Sequence, residues 1–224
     1  MSGEKLNAEE RLVALLWSTV PGVGPAMWRR LFETCRREQI ELFASWRQPA
    51  QLACLREKPA LLLAQQGVAA RFTPHSYAEW LAEQAIEYLL AEDDAYPHLL
   101  KQVRHYPFVL YARGQLSLLA HPLPIAVVGT RQMTTYGAQA TRALTSDLVQ
   151  SGALIVSGFM YGVDVAAHRA ALDAGGATLA VLGFGFNRFF PRTHEQLHRQ
   201  LLQSETLFLS PFAPEIEALP GNFP

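Results

Sequence analysis

Five groups of residues combine types and spacings that could do chemistry. Gly129-Thr130-Arg131, with Tyr136-Gly137 just beyond, places bare main chain beside a hydroxyl and a guanidinium. Glycine admits a ligand close to the backbone, and the planar fork of arginine matches a phosphate. The group lacks the Gly-Lys-Ser/Thr ending of a P-loop. Like Gly183-Phe184-Gly185, it also lacks the full glycine fingerprint of a dinucleotide site, so an ATPase is not expected. The plain alternative is a tight strand-to-helix turn with Arg131 on the surface. In the second group, Ser157-Gly158 is followed by Gly162-Val163-Asp164 and His168, which together evoke a nucleophile, a base and an orienting acid. No nucleophile-elbow sequence surrounds Ser157. The plainer expectation puts Asp164 in the first turn of a helix, hydrogen-bonded to His168 four residues on.

His194-Glu195-Gln196-Leu197-His198 matches the zinc-protease pattern, in which two imidazoles one helical turn apart grip the metal and the glutamate activates water. Glu217 is a conceivable third ligand. The context argues against this reading, because the helix follows a strand and a Gly-Phe-Gly turn and shows Leu197, Leu201 and Leu202 as an apolar face; no metal is expected. Phe184, Phe186, Phe189 and Phe190 beside Arg188 and Arg192 suit single-stranded bases and phosphates, or simply pack. Trp17, Trp28, Trp46 and Trp80 fall among leucines at helical spacing, which places them in a core rather than on a stacking platform. The fifth group is Pro21-Gly22-Val23-Gly24-Pro25 between two helical patterns. It reads as a helix-hairpin-helix, whose glycine turn offers backbone N–H groups to a phosphate. Gly22, Gly24, Arg29 and Arg30, with Arg36 and Arg37 behind them, are candidate secondary DNA contacts, or else the solvated face of a structural hairpin.

The elements that must position these groups follow from apolar spacing. Short apolar runs at residues 125–128, 153–156, 178–182 and 207–209 read as strands, and 109–111 as a further short one. Helical patterns occupy 135–150, 162–174 and 193–203. Strands alternating with helices predict βαβ units and a mostly parallel sheet, whose ligand crevice lies at the carboxyl ends of the strands. Gly129-Thr130-Arg131, Ser157-Gly158 and Gly183 all fall at such ends. Residues 1–91 read as helices throughout, with the longest pattern at 76–91, and the composition changes at Glu92-Asp93-Asp94. The expected architecture is an α/β, Rossmann-like domain over 92–224 with helices flanking its sheet, preceded by a smaller all-helical domain over 1–91 of helix-hairpin-helix or SAM-like type.

Composition narrows the function classes. The chain has 224 residues and a formal net charge of −1, so any nucleic-acid binding must use a local basic patch rather than bulk attraction. Two cysteines, Cys35 and Cys54, make no disulfide framework and fit a reducing compartment. The acidic N-terminus, with Glu4, Glu9 and Glu10, lacks a signal segment, and no stretch approaches a membrane span. A cytoplasmic protein that contacts no membrane is expected.

Several motifs in order and spacing resemble the DNA-processing protein A family, DprA or Smf. They begin with Tyr96-Pro97-x-Leu99-Leu100 and Pro107-x-x-Leu110-Tyr111-x-x-Gly114, followed by Ile125-Ala126-Val127-Val128-Gly129-Thr130-Arg131 and Tyr136-Gly137. Ser157-Gly158-Phe159-Met160-Tyr161-Gly162-Val163-Asp164-x-x-Ala167-His168 and Thr178-Leu179-Ala180-Val181-Leu182-Gly183-x-Gly185 continue the match. The resemblance implies a Rossmann-like domain that binds single-stranded DNA without known catalysis, needs no cofactor, and hands the DNA to the RecA recombinase in natural transformation or recombination. It assigns the DNA pocket to Gly129, Thr130, Arg131, Ser157, Gly158, Gly183, Arg188 and Arg192, and it implies a homodimer. The chain departs from the family at Ser210-Pro211, where Ser-Glu is usual, and at His194, where Asn is common. It stops at Asn222-Phe223-Pro224, where the family continues with an Arg-Asn-Arg segment and closing strands that contribute to DNA contact and dimerisation. A C-terminally incomplete domain is therefore expected. Two other readings remain: a nucleotide-processing hydrolase of the phosphoribohydrolase type, whose Pro-Gly-Gly-x-Gly-Thr loop is not found here, and an interaction-only remnant that has lost DNA binding.

Overall fold

The fold is described by a computed structural model covering residues 5–188 and 190–223. The expectations that involve Glu4, Phe189 and Pro224 fall outside the described residues. Two compact units divide the chain, residues 1–110 and 111–224.

In the first unit, helix α1 (Ala8–Trp17) starts at a capping box: the Asn7 side chain accepts from the Glu10 N–H at 3.0 Å, and the Glu10 carboxylate accepts from the Asn7 N–H at 2.9 Å. Its residues from Val13 to Trp17 are buried. Helix α2 (Pro25–Glu38) begins after Gly24, with proline in its first turn where a missing N–H costs nothing. Helices α3 (Leu42–Arg47), α4 (Ala53–Arg56), α5 (Pro59–Ala69) and α6 (Pro74–Glu83) complete the helical part. Trp17, Trp28 and Trp46 are core residues, as their spacing predicts. Trp17 meets Trp46 edge-on at 5.0 Å, and Trp28 stacks on Phe108 at 4.7 Å. Trp80 is half-buried and stacks on Tyr77 at 5.7 Å. Arg11 forks onto Asp93 at 2.6 and 3.0 Å and reaches Glu92 at 3.2 Å. Although burial alone would raise the Asp93 carboxyl, hydrogen bonds from Arg11 and the Leu90 N–H outweigh it and hold the carboxyl below its ordinary value.

The helix expected over 76–91 stops at Glu83. Ala85 adopts a left-handed φ of 52°, and the Ile86 N–H returns to the Leu81 carbonyl at 2.9 Å. This is a Schellman stop with alanine where glycine is usual, so the composition gives no sign of it. Glu87–Leu90 then forms strand β1.

The second unit contains most of the sheet. Strand β2 (Val109–Gly114) is followed by β3 (Pro124–Ala126), α7 (Thr135–Gln150), β4 (Leu154–Ser157), α8 (Val163–Asp173), β5 (Thr178–Val181), α9 (Glu195–Leu201) and β6 (Thr206–Ser210). The strand order is β1-β2-β6-β5-β4-β3, with β1 beside the start of β2 inside the first unit. β3, β4, β5 and β6 run parallel, and β2 runs antiparallel to β6. This is the Rossmann-like, mostly parallel sheet flanked by helices that the alternation of patterns predicts. Side chains alternate between its faces. Leu154, Leu179, Leu207 and Leu209 pack with Ala112 and Leu118 on one side, while Ile155 packs with Ala167 and Ala171 of α8 on the other. Among the described residues no helix is long and apolar enough to cross a membrane.

Candidate nucleic-acid interface

The register brings three strand tips to one edge. Ala126 pairs with Val156, Ser157 with Ala180, and Val181 with Leu209, so the chain leaves β3, β4 and β5 at the same end of the sheet. The first tip, Gly129-Thr130-Arg131, and the second, Ser157-Gly158, are joined by the start of α8. The Val163 N–H donates to the Thr130 carbonyl at 3.2 Å. Gly162 has a φ of +79°, and a Cβ there would sit 2.1 Å from the Thr130 carbonyl oxygen. The Val163 side chain fills the space over Gly129, where a Cβ would meet its Cγ2 at 2.7 Å. Glycine at 129 and 162 is therefore required by contact between the first tip and the start of α8.

Asp164 reaches back to the second tip. Its carboxylate accepts from the Met160 N–H at 3.4 Å and lies so close to Gly158 that a Cβ there would meet Oδ2 at 2.6 Å. Burial pushes its carboxyl up from the usual range, against the Met160 N–H, the nearby Ser157 hydroxyl, the Gly129 backbone and the charge of Arg131. The expected bond from Asp164 to His168 is not made. His168 is fully buried, and its Nδ1 faces the Thr178 hydroxyl at 2.7 Å. That hydroxyl also lies 2.9 Å from the Ile155 carbonyl, so the histidine is tied to β5 and, through it, to β4. Ser157 is buried and donates to the Val127 carbonyl at 2.6 Å. The Ser157 hydroxyl thus points to Val127 and the His168 ring to Thr178, so the nucleophile–base contact evoked by the sequence is not assembled. Ser157 contributes main chain and internal support to the second tip, not an exposed hydroxyl.

Arg131 is exposed, and its Cζ lies 5.5 Å from the centre of the Phe223 ring. That ring covers Gly183, where a Cβ would meet it at 2.5 Å, and the Asn222 side-chain amide donates to the Gly183 carbonyl at 3.1 Å. The third tip therefore approaches Arg131 through residues 222–223, which sequence reasoning did not single out. The segment after β6 has no periodicity to announce this contact, and glycine at 183 is its one local sign. Thr130 turns its hydroxyl onto its own loop, accepting from the Gln132 N–H at 3.1 Å. Arg188 and Arg192 line an open cavity of about 660 Å³ with Phe186, Phe190, Arg199 and Glu217. No residue of the first two tips lines it. Arg188 lies 3.9 Å from Glu217, and Arg199 lies 3.7 Å from Glu195. Phe184 and Phe186 are core residues, while Phe190 is exposed.

The histidines of the zinc-like pattern pack on aromatic rings. His194 is T-shaped to Phe159 at 5.6 Å, and His198 lies 4.7 Å from Phe208. Among the described residues no group of three or more His, Cys, Asp and Glu is placed to hold a metal. In the first unit, Gly22 has a φ of +90° and Gly24 caps α2, with Arg29 and Arg30 exposed.

The family model for DNA recombination-mediator protein A matches residues 87–224. The chain belongs to this family. The motif resemblance to DprA and Smf therefore holds. The chain is 33% identical to the Smf protein of Synechocystis over 221 residues, covering 96% of this chain and 54% of the relative. It is 36% identical to DprA of Bacillus subtilis over 142 residues, covering 63% of this chain and 48% of the relative. It thus spans about half the length of the curated relatives it matches. The X-ray structure of DprA from Streptococcus pneumoniae superposes with a TM-score of 0.74 at 25% identity, over 98% of this chain and 72% of that one. DprA of Helicobacter pylori, whose structural description concerns a single-stranded DNA binding mode, superposes with a TM-score of 0.54 at 30% identity, over 61% of both chains.

Proposed function

We propose that the strand-tip cup binds single-stranded DNA and that the protein passes this DNA to the RecA recombinase in natural transformation or recombination. The observation that carries the reading is the placement of Arg131. Its exposed guanidinium stands beside two glycine tips that have no room for side chains, and it faces the third tip across the Phe223 ring. Bare main chain with one fork-shaped cation suits a phosphate, and a half-buried ring beside it offers an edge for a base. The binding mode described for the Helicobacter pylori relative supports the same reading. Arg188 and Arg192 extend it as further phosphate contacts along the neighbouring cavity. Gly22, Gly24, Arg29 and Arg30 supply a secondary contact at the helix-hairpin-helix turn.

A fluorescent oligonucleotide titration tests the reading. Affinity falls as salt rises, because each phosphate contact releases counterions. Arg131→Ala lowers affinity by about tenfold, the cost of one charge-assisted contact, and reduces the salt slope by about 0.7. The paired change of Arg29 and Arg30 to alanine has a smaller effect. An unchanged affinity in Arg131→Ala, with duplex bound equally well, removes the cup from consideration. Release of free base from a nucleoside monophosphate would instead favour the hydrolase reading.

A further inference from the structure

We propose that Asp164 is a positioning residue that latches the first two strand tips together and so holds Arg131 in place for DNA. The inference rests on the reading of the cup as the DNA site. The first turn of α8 touches both tips: Gly162 and Val163 lie on Thr130 and Gly129, and Asp164 lies on Gly158 and Met160. Of these three residues, Asp164 alone has a polar side chain that reaches the second tip. Arg131 is the charged side chain that acts on it, and the N–H of Gly129 and the side chain of Ser157 also face it. A carboxylate at the floor of an anion-binding cup is out of place on charge alone, since it repels phosphate. Its placement makes sense if the order it imposes on the two tips outweighs that repulsion. The two effects have opposite signs, so substitution separates them.

Asp164→Ala is expected to weaken binding of a fluorescent oligothymidylate about tenfold near physiological ionic strength, although the change removes a negative charge. Asp164→Asn, which keeps one acceptor oxygen, recovers part of the loss. In an Arg131→Ala background, Asp164→Ala changes affinity less than twofold, because the group it positions is already gone. A general loss of folded protein would instead weaken both backgrounds equally. A readout independent of DNA is amide hydrogen exchange: the Gly129 and Met160 N–H groups exchange at least about tenfold faster in Asp164→Ala, while the Ala180 amide in β5 does not. Binding as tight as or tighter than that of the unaltered protein in both Asp164 variants overturns the proposal, as does unchanged exchange at Gly129. Failure of the unaltered protein to bind any oligonucleotide is a different result, and it counts against the cup as the DNA site.

Discussion

Gly162→Ala is expected to destabilise the protein by roughly 3 kcal/mol or more and to abolish binding of single-stranded DNA. Two costs add. Gly162 has φ +79° and ψ −128°, a conformation that residues with a Cβ rarely adopt. The added methyl would also stand 2.1 Å from the Thr130 carbonyl oxygen and 2.8 Å from the Arg131 Cα. Those atoms are main chain, so no side-chain rotation relieves the contact; the first tip must move away from α8, taking Arg131 with it. Gly152 is the control. Its φ is +80°, yet nothing lies within 4 Å of where its Cβ would be. Gly152→Ala therefore meets backbone strain alone, about 1–2 kcal/mol, and should leave DNA affinity unchanged. Urea unfolding and an oligonucleotide titration of both variants check this. Equal stability and equal affinity for Gly162→Ala and the unaltered protein would mean that the first tip is not in contact with the start of α8.

A second large effect is expected from acid. His168 and His198 sit behind the second tip, around the buried ring of Phe159, and burial lowers their pKa values to about 3 and about 4. His194 moves in the same direction for the same reason. In the unfolded chain a histidine titrates near about 6.5. A depressed histidine pKa means that the unfolded state binds protons first. The stability is fully present above about 6.5 and is lost as pH falls toward the folded values. Asp164 works in the opposite sense, since its raised carboxyl binds a proton more readily in the folded state. Two or more histidines against one carboxyl leave a net loss. The unfolding equilibrium should rise by at least about tenfold per pH unit between roughly pH 6 and pH 4.5. His168→Leu should reduce this slope by about one proton even though it costs stability at neutral pH. A Tm that stays level across this interval would show that the histidines are hydrated in the folded protein.

Much of this arrangement is written in local pattern. The alternation of strand and helix, with glycines at three strand ends, is enough to anticipate the parallel sheet and its ligand edge. The ordered motifs from Tyr96 to Gly185 point to the family. The two-residue period of a strand also carries information about Ser157. Leu154 and Val156 face one side of β4, so Ile155 and Ser157 face the other, toward α8; the inward hydroxyl follows from that count. What local pattern cannot supply is contact between distant segments. The spacing of Asp164 and His168 suggests a bond along one helix, but Asp164 turns back onto the Met160 N–H of the preceding loop and His168 turns to Thr178 of β5. Residues 222–223 cover the third tip without any periodic signal. The stop of α6 depends on alanine taking a left-handed conformation, which composition alone would assign to glycine.

The direction of β2 opens a route for instrumenting the molecule. Because this strand runs against β6, its trailing residues emerge where β6 begins, with the Gln115 N–H on the Thr206 carbonyl at 2.9 Å, at the opposite end of the sheet from the glycine tips. Ser117 in that stretch is exposed. The native thiols, Cys35 and Cys54, are both buried away from a reagent in solvent, and burial raises Cys35 to about 11. A maleimide dye on Ser117→Cys would therefore mark one site, remote from the cup, from which arrival of an oligonucleotide labelled with an acceptor could be followed by energy transfer.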